Sequence, residues 1–173
     1  MFRREWVGID TVLGRFRINR NLPYGRYSLS TVFEGLEKSP LVSRLLQGNS
    51  NRRLESIEVE ITEGVSYMRV DAGGRLLISR EYLRNGDEKH IYLDLIHELT
   101  HVKQLQEGID IYDPEYSYAE RPTELEAYTN AVSEARRIGM SEREIYEYLK
   151  VEWISKAELD KLAERLGVSQ RKS

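Results

Sequence analysis

The chain of 173 residues contains no cysteine, which excludes disulfides, thiolate nucleophiles and a cysteine-bound structural zinc. Histidine is scarce, with three in the whole chain, so any pairing among them carries weight. No apolar run approaches the ~20 residues needed to cross a bilayer. The opening Met1-Phe2-Arg3-Arg4-Glu5-Trp6 lacks the apolar stretch of a secretory signal, so no membrane association is expected and a cytoplasmic location is the default. An excess of one charge sign is also missing. The 26 basic and 29 acidic side chains leave a net charge of −3, which gives no general attraction to nucleic acid or anionic lipid. What remains, 40% apolar and 32% charged residues, suits one soluble globular domain with a real core.

Two of the three histidines stand in His97-Glu98-Leu99-Thr100-His101. Read as a helix over residues 88–107, this segment sets the two imidazoles one turn apart, with about 6 Å between β-carbons, close enough to share a metal ion. Neutral histidine nitrogens suit Zn²⁺, and a catalytic zinc keeps one coordination position open while three protein atoms hold it. Glu98 lies roughly 100° round the helix from His97, where a carboxylate reaches the attacking water and can accept its proton. Ile91, Leu95, Leu99 and Val102 gather on another side of the same helix, which separates a core face from a histidine face.

A third ligand is expected further on, and Arg121-Pro122-Thr123-Glu124-Leu125-Glu126-Ala127-Tyr128 offers two. Thr123 as N-cap with Glu126 three residues later reads as a capping box at a helix start. That assigns Glu126 a structural job and leaves Glu124 as the preferred ligand, with Glu126 as the alternative. Asp94, one turn before His97, is a candidate to orient an imidazole. Between the two helices, Tyr116, Tyr118 and Arg121 are candidates to stabilise a developing oxyanion, with Tyr118 put forward for that catalytic role.

His97-Glu98-x-x-His101 followed by Glu124-x-x-Ala127 resembles the gluzincin pattern of metallopeptidases, whose third zinc ligand is a glutamate on a second helix. Among these it looks like the compact minigluzincins. The Glu124, Ala127, Ala131 arrangement is also similar to that of proteases related to the bacterial radiation-response and phage-repressor-cleaving peptidases. The resemblance covers about residues 54–138. It implies zinc held by His97, His101 and Glu124, Glu98 as general base, and a peptide or protein substrate bound in extended form along an edge strand. Two positions depart from the larger thermolysin-like enzymes: Thr123 stands where they carry Asn, and Tyr128 where they carry a supporting Asp.

The rest of the chain supplies scaffold. Short extended or turn segments are expected around Val12-Leu13 and Phe16-Arg17-Ile18, with Arg15, Arg17, Arg20 and Arg26 as a solvated rim. One helix interrupted at Pro40, or two short helices, should run from Ser30 or Thr31 towards Leu46, followed by a turn at Gly48-Asn49-Ser50-Asn51. Alternation at Ile57, Val59 and Ile61 predicts a half-buried strand. Further strands are expected over residues 65–70 and 75–79, the last being the substrate-pairing edge by order. Ser141 with Glu144 and Ser155 with Glu158 predict two capped amphipathic helices, and residues 169–173 a frayed tail.

The expectation is an α+β fold: a small, largely antiparallel sheet packed on the metal-bearing helix, then a helical C-terminal half, in a single zincin-like domain over residues 1–173. Residues 1–53 form a lid, a pro-like segment or simple packing, and residues 140–173 a helical extension. The function expected is zinc-dependent peptide hydrolysis, by a general endopeptidase or by a selective regulatory protease. The alternative is a latent or non-catalytic zinc-binding protein whose terminal segment fills the cleft.

Overall fold

Short strands alternate with helices, five of which start at side-chain caps, and together they set the architecture. A computed structural model describes residues 6–11, 14–48 and 50–169. In chain order the strands are β1 (Trp6–Thr11), β2 (Gly14–Asn19), β3 (Gly25–Ser28), β4 (Phe33–Glu34), β5 (Glu58–Thr62), β6 (Met68–Val70) and β7 (Leu76–Ser79). The α-helices are α1 (Leu29–Val32), α2 (Pro40–Leu45), α3 (Ser50–Ser56), α4 (Arg80–Asn85), α5 (Glu88–Gln106), α6 (Pro122–Arg137), α7 (Glu142–Leu149) and α8 (Lys156–Arg165). The fold is mixed α and β, with small sheets and a mostly helical second half. The segment expected around Val12 and Leu13, Asn49 of the expected turn, and tail residues 170–173 lie outside the described residues.

One sheet has the antiparallel order β1-β2-β4, and the other the order β3-β5-β7-β6. In the second, β3–β5 and β6–β7 are antiparallel, whereas β5–β7 is parallel. This corrects the strand order expected from sequence: β7 is interior, and β6 is the edge beside α5. Core residues from both sheets, Ile18, Phe33, Val59, Ile61, Leu76 and Ile78, join Ile91, Leu95 and Leu99 of α5 in one apolar cluster. Burial on α5 goes further than a core face, because every residue from Leu95 to Val102 is buried. No described helix is long and apolar enough to cross a membrane.

Pro40 does not interrupt a helix but opens one, at the first position of α2 behind the Ser39 cap, where its missing N–H costs nothing. The chain before it forms α1, β4 and a 3-10 turn instead. The expected turn at residues 48–51 is shorter than read, since α3 already begins at Ser50. Three arginines of the expected rim, Arg17, Arg20 and Arg26, have acidic or carbonyl partners, and the Arg15 side chain lies outside what is described. Arg17 pairs with Glu34, and Arg26 with Glu58 and Glu60. Arg20 donates to the carbonyls of Leu83, Arg84 and Gly86, closing the C-terminal end of α4.

Both capping boxes in the C-terminal half are present, on α7 and α8. Glu144 accepts from the backbone N–H and hydroxyl of Ser141, and with Lys89 nearby its carboxyl is held down at about 2. A depressed folded-state value contributes stability above the ordinary carboxylate range and loses it as pH falls towards the folded value. Ser141→Ala should therefore cost about 0.5–2 kcal/mol at neutral pH, read from urea denaturation. The gap between variant and wild type should narrow as pH is lowered from about 5 to about 2.

Candidate metal centre

α5 begins at Asp87, whose carboxylate accepts from the His90 N–H, and runs unbroken through the histidine pair. α6 packs across it and is tied by Asn130 donating to Thr100 Oγ1 (3.1 Å) and Tyr92 donating to Glu134 (2.7 Å). The crossing brings the first turn of α6 over His97 and His101. The two Nε2 atoms are 3.0 Å apart. Glu124 completes the triangle, with Oε2 3.1 Å from His97 Nε2 and Oε1 3.4 Å from His101 Nε2. All three side chains are buried, and among the described residues they form the only His/Cys/Asp/Glu group placed to hold a metal ion.

The polar accounting supports such use. A buried carboxylate should be hydrogen-bonded or bind a cation, yet Glu124 Oε2 has no hydrogen-bond partner of acceptable geometry. Although burial alone would raise it, the Glu124 carboxyl is held well below the usual carboxylate range by the two imidazoles. His101 is shifted up: burial opposes its charge, and the neighbouring Glu124 carboxylate outweighs that. This packed group of opposed charges is what a cation would relieve.

Two corrections follow. α6 starts at Pro122 with Arg121 as N-cap, not at Thr123, so there is no capping box and Glu126 is free of that duty. Instead Glu126 accepts from Gln104 Nε2 (2.8 Å) and Lys103 Nζ (3.2 Å). Asp94 makes no hydrogen bond to an imidazole. It accepts from Tyr82 (2.5 Å) and shares a cavity wall with Tyr148, because α4 and α7 deliver phenols to that side of α5.

The residue that does orient an imidazole is Gln104, which sequence reasoning missed. Its Oε1 lies 2.7 Å from His101 Nδ1, while its Nε2 donates to the Thr123 carbonyl and to Glu126. With the amide fixed this way round, His101 Nδ1 must be the donor, which leaves the Nε2 lone pair facing Glu124 and His97. A glutamine three residues after His101 shares its helix face, so the spacing carried a signal. Gln104→Ala should weaken metal binding about 10–100-fold, measured by competition with a chelating dye. His97 Nδ1 is buried without a partner, and the ring packs edge-on against Tyr128 at 4.4 Å.

Glu98 is buried, and its Oε2 accepts from the Val70 N–H of the edge strand at 2.8 Å. Burial pushes its carboxyl up, opposed by both histidines and by that N–H. Ser79 N–H donates to Tyr67 and Asp71 N–H to Arg75 across the β6–β7 ladder. Alternation then turns the polar backbone groups of Arg69 to β7 and those of Met68 and Val70 to the free edge. Val70 is engaged on both sides, since its carbonyl accepts from the Tyr112 hydroxyl at 2.9 Å.

A cleft of about 460 Å³ opens between β6 and the His97, His101, Glu124 cluster, with Glu98, Tyr118 and Arg121 also on its walls. Tyr118 thus stands at the site, its hydroxyl 2.8 Å from that of Tyr128. Arg121 lies 3.9 Å from Glu124, whereas Tyr116 is exposed and lines no cavity beside the cluster. Among the described residues none of 1–53 lines the cavities beside the cluster, but Trp153, between α7 and α8, lines both. No protein-family model, curated protein or solved structure matches the chain.

Proposed function

We propose that the chain is a zinc-dependent peptidase of the gluzincin type with a zincin-like arrangement of sheet and helices. The observation that carries this reading is the convergence of two imidazole nitrogens and one carboxylate beside a buried glutamate and an unpaired sheet edge. Donors bound tetrahedrally at about 2.0–2.1 Å stand about 3.3–3.4 Å apart. The separations of 3.0, 3.1 and 3.4 Å suit a small ion of that kind after slight expansion. Two histidines and one carboxylate, with a fourth position towards the cleft, is a donor set that catalytic zinc uses.

Bound zinc supplies Lewis acidity to a carbonyl and brings the pKa of a water near 7. Glu98, buried beside the three donors, would accept the proton of a water so activated and return it to the leaving amine, and the rise that burial gives its carboxyl strengthens it as the base. The anchor on Val70 holds one carboxylate oxygen and leaves the other for the proton. Tyr118, or Arg121 beside it, is the donor for the developing oxyanion. The Met68 N–H and C=O, turned to the free edge, pair with the backbone of an extended substrate, so register is set without reading side chains.

The reading is tested by incubating zinc-loaded protein with a mixed peptide library and identifying products by mass spectrometry. Cleavage that stops on chelation and returns with zinc is the expected result. Metal uptake with no cleavage of any peptide would leave a zinc-binding protein and remove the enzyme.

A further inference from the structure

A second cavity, of about 230 Å³, lies along α5 on the N-terminal side of His97. It shares Tyr67, Met68, His97, Glu98, Tyr118 and Trp153 with the cleft described above, so the two meet beside Glu98. Its size is below the roughly 300–1,000 Å³ of sites for whole small molecules and fits one long side chain. We propose that this cavity binds the cationic side chain of a lysine or arginine next to the cleaved bond, making the protein selective for basic residues there.

The hydrogen-bond directions decide the sign of charge it takes. The Tyr82 hydroxyl donates to Asp94 at 2.5 Å, and the Tyr67 hydroxyl donates to Glu152 at 3.0 Å. The Tyr118 and Tyr128 hydroxyls, 2.8 Å apart, share one hydrogen bond and keep one proton free between them. Tyr82 and Tyr67 have their protons committed, so they present oxygen lone pairs and ring faces to the cavity, and both attract cations. An acidic side chain entering would find acceptors and few donors.

Charge points the same way. Asp94, its carboxyl pushed up by burial, and the exposed Glu152 line the cavity with His90, while Lys150 lies 3.9 Å from Glu147 and is offset by it. His90 packs edge-on against Tyr148 at 5.5 Å. Trp153, 56% exposed, leans on Tyr118 with ring centres 5.8 Å apart and on Tyr67 at 6.5 Å. It forms an aromatic wall at the entrance, where an ammonium or guanidinium group would pass over its face.

The position of the bound side chain relative to the cleaved bond rests on the peptidase reading, whereas the preference of the cavity does not. The test uses two blocked tripeptides, identical except for lysine or norleucine at the centre. Binding to zinc-loaded Glu98→Gln protein is measured by calorimetry, and kcat/KM is measured with the wild type. The lysine peptide should bind at least tenfold more tightly and be cleaved with at least tenfold higher kcat/KM. Both ratios should fall towards one in Asp94→Asn and Glu152→Gln proteins.

Glu152 lies in the exposed connection between α7 and α8, so its variant keeps the test valid should Asp94→Asn fail to fold. Absence of a lysine advantage in binding overturns the proposal, including the case where neither peptide binds at millimolar concentration. Cleavage of both peptides at equal kcat/KM overturns it too. A lysine advantage in binding with no cleavage by the wild type upholds the cavity's preference and refutes the peptidase reading instead.

Discussion

Glu98→Gln protein should take up zinc as the wild type does and hydrolyse peptides about 10²–10⁴-fold more slowly. Both halves of that result come from the same short piece of structure. Glutamine has the shape of glutamate, and its carbonyl oxygen can still accept from the Val70 N–H that Glu98 engages at 2.8 Å. The tie between α5 and the edge strand therefore survives. The amide nitrogen that replaces the second oxygen cannot accept a proton, and Glu98 is not one of the three converging donors. Calorimetric zinc titration together with initial rates on a peptide found in the library screen would check both halves. Loss of zinc affinity equal to that of His97→Ala would mean that Glu98 holds the ion, and the division of roles would fall.

The parts of this site that were legible in the sequence are the parts set by local periodicity. His97 and His101 are one turn apart on any α-helix, so their meeting needed only that α5 form, and apolar Ile91, Leu95 and Leu99 ensured that. Glu124 was legible as an acid at the start of the second helix, although the Thr123–Glu126 capping box that set Glu126 aside is absent. Pro122 at the first helical position starts α6 earlier than a Thr123 cap would, and this places Glu124 in the first turn with its carboxylate directed at α5. The boxes at Ser141 and Ser155 were legible because a cap and its partner are three residues apart.

What was not legible depends on elements distant in sequence. Strand order within a sheet is not chain order, and nothing in residues 57–79 announces that β7 will insert parallel beside β5 and leave β6 at the edge. Asp94 shares a face with His97, but Tyr82 claims it from α4. Trp153 lies between two helices whose caps are legible, and only their packing swings it over Tyr118. α3 and α4, at seven and six residues, are too short for a period to declare itself.

Glu124→Gln should abolish the thermal stabilisation that zinc gives the wild type, while Glu126→Gln should reduce zinc affinity only modestly. A ligand that binds only the folded chain stabilises it by about 4 kcal/mol when its free concentration is a thousandfold above Kd. For a chain of this size that is a rise of about 8–16 °C in Tm, because the ion would join α5 to the first turn of α6. Replacing Glu124 leaves two imidazoles and no anionic donor, at the same volume and with the helices otherwise packed as before. Glu126 is the control: two residues on, it touches Gln104 and Lys103 and reaches the cluster only by steadying the amide that orients His101. Scanning calorimetry of the three proteins with and without zinc separates the cases. A zinc-dependent rise retained in Glu124→Gln and lost in Glu126→Gln would move the third ligand to Glu126, and an equal rise in all three would place the ion away from α6.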